Sequence, residues 1–314
     1  MKLRHVHTTG LFGVPDGSWS FSSVEPGQRE ARAQALVVVT GAEGSGKTRF
    51  LEAIASAREL LAPAGDRFDE DDWVREGNRS SKVVLGFELS NKERAEIGSE
   101  QRELPAEVIF RADPDWVAPD QTDPGLLYLL ERYDHDPAVS KLEYFGENRR
   151  LDVGGGEMSL GRERQHEFRT GKSPRKYAFV PTFLRSLRGD ALASERFART
   201  LEALGDSVRW DEGERLLATR TRKVTDLATL SSSEADALIF AATFCLVRLS
   251  SSIVLVDRPE LYRPDVERFV EGLRRSGEDN QLIVATTHPA LTKAAPDRVV
   301  IRLDEHAPPS SSAP

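Results

Sequence analysis

The sequence predicts an α/β fold, and three observations carry that prediction. Aliphatic, β-branched runs at residues 35–40, 253–256 and 282–286 read as strands buried on both faces. Apolar residues at helical spacing lie between such runs, most plainly over residues 182–205 and 232–249. A glycine-rich turn joins the first run to the helix after it, whose buried side is marked by Phe50, Leu51, Ile54, Ala55 and Ala57. At 314 residues the chain has room for about two domains or one large α/β unit.

The elements follow in order. The first twenty residues alternate weakly around Phe12, Trp19 and Phe21, with a turn at Pro15-Asp16-Gly17, and predict a pair of strands. The acidic run Asp69-Glu70-Asp71-Asp72 reads as a solvated loop. Residues 82–89 and 107–111 read as neighbouring strands of an antiparallel N-terminal sheet, and residues 142–145 as another short strand. Gly154-Gly155-Gly156 marks a mobile loop. Phe183, Leu184, Leu187, Leu192, Phe197, Leu201 and Leu204 predict a helix over 182–205, and a hairpin around Asp211-Glu212-Gly213 follows over 208–219. The apolar helix 232–249 leads into the strand at 253, and a helix near 265–275 leads to the strand at 282. Residues 299–303 close the sheet. No internal repeat is found. The expected organisation is one domain over residues 1–304 with an inserted helical lobe near 182–249, then a Pro/Ser/Ala-rich disordered tail over 305–314.

Composition narrows the function. Lys and Arg number 43 against 51 Asp and Glu, a net charge of −8, which argues against whole-surface attraction to nucleic acid or an anionic membrane. A local exception is the stretch 149–188, with ten Lys/Arg against four Asp/Glu. Apolar residues at 39% support a sizeable core. The single cysteine, Cys245, lies in an apolar run and reads as a core thiol in a reduced compartment. No run reaches the ~18 apolar residues of a membrane span, and the first residues have no apolar run behind their basic ones, so a cytoplasmic protein is expected.

The chemistry sits at the strand ends. Gly41-Ala42-Glu43-Gly44-Ser45-Gly46-Lys47-Thr48 fits G-x-x-x-x-G-K-[ST] in full, with a strand before it and a helix after it. Glycines let backbone N–H groups curl around phosphate oxygens, and the helix start adds a favourable dipole. Lys47 is placed to reach the β- and γ-phosphates, and Thr48 to offer its hydroxyl to Mg²⁺. Asp257 ends the strand 253–256, where nucleotide-binding loops of this kind need a metal-holding carboxylate. His288 follows the next strand and is placed to sense the γ-phosphate. Leu230-Ser231-Ser232-Ser233-Glu234 opens the apolar helix shortly before Asp257. Alone, these serines are a helix cap; between the phosphate loop and Asp257 they read as hydroxyls presented to the nucleotide of a second copy.

With these four motifs in this order, the chain resembles the ABC-type P-loop ATPases. It looks most like the non-transporter branch that includes RecF, the structural-maintenance-of-chromosomes proteins and the OLD-like ATPases of bacterial defence. Residues 41–48 match Walker A, 230–234 the signature, 254–261 the Walker B segment and His288 the switch histidine. Asp257 to Leu261 followed by Tyr262-Arg263-Pro264 resembles this branch rather than transporter cassettes. The resemblance implies ATP and Mg²⁺ as ligands, and a head-to-tail homodimer whose two nucleotide sites are each completed by the partner's signature. One such head fills the length, leaving no room for a long coiled-coil arm.

Two positions depart from the pattern. The family's catalytic glutamate position is Arg258, so slow hydrolysis is expected, with Glu260 two residues on as the available carboxylate. The signature has Ser232 and Ser233 where the family often has glycine. A metal-side polar residue is sought in Glu147 or Asn148, and a base-stacking aromatic in Phe12 or Trp19. Three roles follow: a dimerising switch controlling a separate effector protein in DNA repair or defence, an ATPase acting on DNA through 149–188, or a transporter motor. Glu234 and the Asp-Arg-Pro-Glu run count against the last.

Overall fold

The computed structural model describes residues 1–24, 31–64, 70–112, 122–151, 158–205, 207–211, 215–218, 222–263, 265–293 and 298–306. The Gly154-Gly155-Gly156 run, Asp69, the Glu212-Gly213 turn, Pro264 and the tail from 307 onward lie outside them.

Five parallel strands form the central sheet, in the order β14 (Val299–Arg302), β5 (Leu36–Thr40), β13 (Gln281–Ala285), β12 (Ile253–Asp257) and β8 (Leu142–Phe145). Their side chains alternate between two cores. Val37, Val39, Ile253, Leu255 and Ile283 face one that they share with α1 (Lys47–Leu61). Leu36, Val38, Val254, Val256, Leu282 and Val284 face the other. Burial on both faces is why these strands read as unbroken aliphatic runs.

The first core is closed by an antiparallel sheet in the order β2 (Gly17–Ser20), β1 (Lys2–Thr9), β6 (Ser80–Glu88) and β7 (Glu103–Arg111). The expected N-terminal strands pair as predicted, and β7 begins earlier than the sequence suggested. Two-residue strands β3 (Ser22–Ser23) and β4 (Arg32–Ala33) pair beside it. The second core is covered by α5 (Val180–Ser186), α6 (Ala191–Leu204), α7 (Ser232–Val247) and α8 (Val266–Arg275). α7 is buried on nearly all sides, which explains its run of apolar residues. The expected single helix over 182–205 is two helices, because Gly189 turns left-handed (φ 84°) and the Asp190 carboxylate caps α6 by accepting from Ala193 N at 3.0 Å. The hairpin over 208–219 is present as antiparallel β9 (Val208–Trp210) and β10 (Leu216–Ala218), and β11 (Arg222–Lys223) adds a third strand. Helices α2 (Asn91–Ile97), α3 (Pro124–Glu131), α4 (Arg162–Phe168) and α9 (Pro289–Thr292) add to the elements the sequence predicts.

Strand β8 is a sheet edge, and the chain after it covers that edge. Tyr144 N donates to Arg169 O at 3.1 Å. On the same strand Glu143 is fully buried, and it is paired with Arg169 at 2.9 Å and Lys176 at 3.2 Å. Burial pulls the Lys176 ammonium down to about 8. A buried carboxylate between two buried cations cannot be removed cheaply. Glu143→Gln is therefore expected to cost about 3–5 kcal/mol in urea unfolding. Arg162→Ala, at the exposed pair with Asp134, should cost under ~1 kcal/mol. Equal midpoints for the two variants would show that the Glu143 cluster does not hold the edge.

Candidate functional site

Because the sheet is parallel, the carboxyl ends of β5, β12 and β13 open on one side. The loop after β5 turns through Gly41, Gly44 and Gly46, all at positive φ. Gly46 admits no side chain, since a β-carbon there would lie 2.2 Å from the Gly13 carbonyl oxygen of the β1–β2 connection. Lys47 opens α1 and reaches back over the loop, donating to Gly41 O at 3.0 Å and Ala42 O at 2.7 Å. A cleft of about 290 Å³ lies beside the loop. Its walls include Glu43, Gly44, Lys47 and Thr48 from the loop side, and Asp257, Arg258 and Glu260 from the end of β12.

Asp257 is fully buried, and neither carboxylate oxygen has a hydrogen-bond partner among the described residues. Burial raises its pKa to about 6, against the lowering influence of the approaching Thr48 hydroxyl. A buried carboxylate without partners is what a cation site requires. No group of three or more His, Cys, Asp or Glu able to hold a metal is found among the described residues. Thr48 and Asp257 thus fit a Mg²⁺ that brings phosphate oxygens and water as its remaining ligands.

The strand end is held by Arg149, whose side chain is buried with that of Asp236 on α7. Arg149 Nε donates to Asp236 Oδ1 at 2.6 Å, and its remaining nitrogens donate to Gly146 O at 2.5 Å, Asp257 O at 2.7 Å and Arg258 O at 3.1 Å. Arg263 shares Asp236 at 3.0 Å. Arg258 adopts a left-handed backbone (φ 47°, ψ 63°), after which a short 3-10 helix (Pro259–Tyr262) swings Glu260 back to the cleft. There the Glu260 carboxylate accepts from Thr286 Oγ1 at 2.8 Å.

The structure gathers Glu43, Gly44, Lys47, Thr48, Asp257 and Glu260 around one cleft. Gly41, Ser45 and Gly46 complete the loop. His288 lies just past β13 rather than in the lining, with Nδ1 accepting from Ala290 N at 3.3 Å. Thr286 and Thr287, which the sequence did not single out, line the cleft in its place. Their signal was there to find, as polar residues directly after a buried strand. Glu147 lines the cleft and Asn148 does not. Trp19 is core at 3% exposure, whereas Phe12 is 56% exposed and 5.9 Å from the Arg49 guanidinium. Leu230, Ser231, Ser232, Ser233 and Glu234 do not line this cleft. Ser231 caps α7 in a reciprocal box with Glu234, and Ser232 is exposed.

No protein-family model and no curated protein matches the chain. Solved structures do. A structural-maintenance-of-chromosomes (SMC) head bound to the C-terminal winged-helix domain of ScpA aligns at TM-score 0.58 and 15% identity, covering 93% of this chain and 91% of that one. The SMC head from Thermotoga maritima aligns at TM-score 0.47 and 17% identity over 98% and 92% of the two chains. RecF, solved with a nucleotide in the RecFOR pathway, aligns at 0.48 and 10% identity over 95% and 97%. The fold is that of an SMC head, an α/β P-loop architecture with an antiparallel N-terminal sheet.

The Asp257 carboxyl has a pKa raised above the usual carboxylate value of 3.8 to about 6. The folded chain therefore holds this proton more tightly than the unfolded chain, and the group's stabilising contribution is lost as pH rises through about 6. In metal-free buffer, Asp257→Asn should raise stability at pH 8 by at most about 3 kcal/mol and leave stability near pH 4 unchanged. Thermal unfolding at the two pH values measures this, and a variant less stable at pH 8 would show that the charge is compensated.

Proposed function

We propose that this chain is an ATP-binding ABC-type ATPase that works as a dimerising switch with slow hydrolysis, regulating a separate effector protein in DNA repair or bacterial defence. One observation carries the reading: a full phosphate loop, an unpartnered buried Asp257 and the Glu260 carboxylate meet in one cleft. Lys47 and the loop N–H groups bind the phosphates, and Thr48 and Asp257 hold Mg²⁺, which supplies charge neutralisation when bound. Glu260 orients the attacking water and takes its proton, with Thr286 fixing the carboxylate. Its route through the left-handed turn at Arg258 gives a less direct placement than a carboxylate next to Asp257, which supports slow turnover. A phosphate-sensing role for His288 requires its ring, which caps α9 outside the cleft lining, to turn toward the cleft.

The signature serines lie away from the cleft of their own chain, which supports a two-fold homodimer in which each start of α7 serves the other subunit's ATP. An effector on a separate chain is consistent with the SMC head that was solved with a bound protein domain. No helix among the described residues is long and apolar enough to cross a membrane, and Cys245 is buried and unpaired, which fits a cytoplasmic setting.

DNA binding through the basic stretch 149–188 is the second reading. Arg149, Arg169 and Lys176 of the basic stretch are buried in internal pairs, and Arg162, Arg164 and Lys172 pair with Asp134, Glu167 and Glu52. Arg185 of α5 and Arg188 just after it line a cleft of about 450 Å³ with Arg215 and Lys223 of the β9–β11 sheet, where Asp211 already pairs with Arg215 at 2.6 Å. Phosphate contacts made there carry a steep salt dependence.

Lys47→Ala should abolish ATP binding in calorimetry, and saturating Mg-ATP should double the light-scattering mass of the wild type. A brisk ATPase rate lost in Lys47→Ala would contradict slow turnover, and an unchanged mass would contradict the switch. For DNA, Arg185→Ala combined with Arg188→Ala should weaken duplex binding and flatten its salt slope by about 2. Unchanged binding in that variant would locate any DNA contact elsewhere.

A further inference from the structure

Arg258 is a cation of the cleft that the proposed reaction leaves without a role. Its left-handed backbone is one that a residue with a β-carbon rarely adopts. Two contacts hold it there. Arg258 N donates to Ala285 O at 2.9 Å, and its carbonyl accepts from the buried Arg149. The result is a cation on the cleft wall directly beside Asp257. Lys47 is the other cation in that lining, which also holds the carboxylates of Glu43, Glu147, Asp257 and Glu260.

Arg258 Nη1 stands 3.4 Å from Glu147 Oε2, with the two side chains 50% and 42% exposed. A pair so exposed is weak and exchanges readily. A phosphate group is the stronger partner for a guanidinium, because its oxygens match the planar fork. The position selects which phosphate. The loop backbone cradles the inner phosphates, and the metal-side carboxylate of such sites stands at the β- and γ-phosphates. A cation adjoining Asp257 is therefore on the side of the terminal phosphate.

We infer that Arg258 is a specificity-determining residue: its guanidinium exchanges Glu147 for the terminal phosphate of a nucleoside triphosphate, so the cleft distinguishes triphosphate from diphosphate. This inference rests on the nucleotide reading of the same cleft. The positive charge that displaces a carboxylate from the position after Asp257 then serves to hold the triphosphate state.

The test is calorimetric titration of the full chain with Mg-ATPγS and with Mg-ADP. Glycine suits the left-handed turn, so Arg258→Gly keeps the backbone, and its folding is checked by thermal unfolding. Arg258→Gly should lose about ten- to a hundredfold in triphosphate affinity and leave diphosphate affinity unchanged. Arg258→Lys should fall between the variant and the wild type, since it keeps the charge and loses the fork. Lys47→Ala should lose both ligands. Equal loss of both nucleotides in Arg258→Gly, or loss of neither, overturns the role of Arg258 while the nucleotide site stands. A wild type that binds neither nucleotide overturns the site and the inference together.

Discussion

The buried guanidinium of Arg149 is the interaction on which the functional face depends. It donates to the carbonyls of Gly146, Asp257 and Arg258, and to the carboxylate of Asp236. Asp236 is fully buried and takes a second guanidinium from Arg263. Removing such charges from water is expensive, and the arrangement is stable only when every partner is in place. The turn after β8, the end of β12 and the first turns of α7 are therefore joined by one buried network. Asp236 lies two residues beyond Glu234, so the start of α7 is tied through Arg149 to the end of β12.

The same segment explains where the positive charge of the chain goes. Residues 149–188 look like a basic stretch, yet Arg149, Arg169 and Lys176 are spent on buried carboxylates and carbonyls. They cover the edge strand β8 and hold the strand ends, so they contribute to the core rather than to an outer field. Arg185 and Arg188 lie on the helical side, in the lining of the cleft beside the β9–β11 sheet. A charge count along the chain cannot separate these uses, because burial decides which charges a ligand meets.

Aliphatic packing and polar chemistry occupy different parts of the sheet. Val37, Val38, Val254 and Leu255 fill the two cores through alternation alone. The polar groups gather where the strands end, at Thr48, Asp257, Thr286 and the loop glycines. A parallel sheet places all those ends on one side, which is why motifs far apart in the chain share a cleft.

What the sequence determined by itself is local. The glycine-rich loop of residues 41–48, the buried strands 35–40, 253–256 and 282–286, the capping box at Ser231 and Glu234, and the N-terminal strand pair all depend on residues close in the chain, whose periodicity and backbone needs are legible in order. What only the tertiary structure decided is relational. It split the helix at Gly189, found Trp19 in the core and Phe12 in solvent, chose Glu147 over Asn148, and brought Thr286 against Glu260. It also turned Arg149 and Asp236 from ordinary charged residues into the brace of the site. These outcomes depend on which distant groups leave water together, and a buried charge has no meaning until its partner, distant in sequence, arrives beside it.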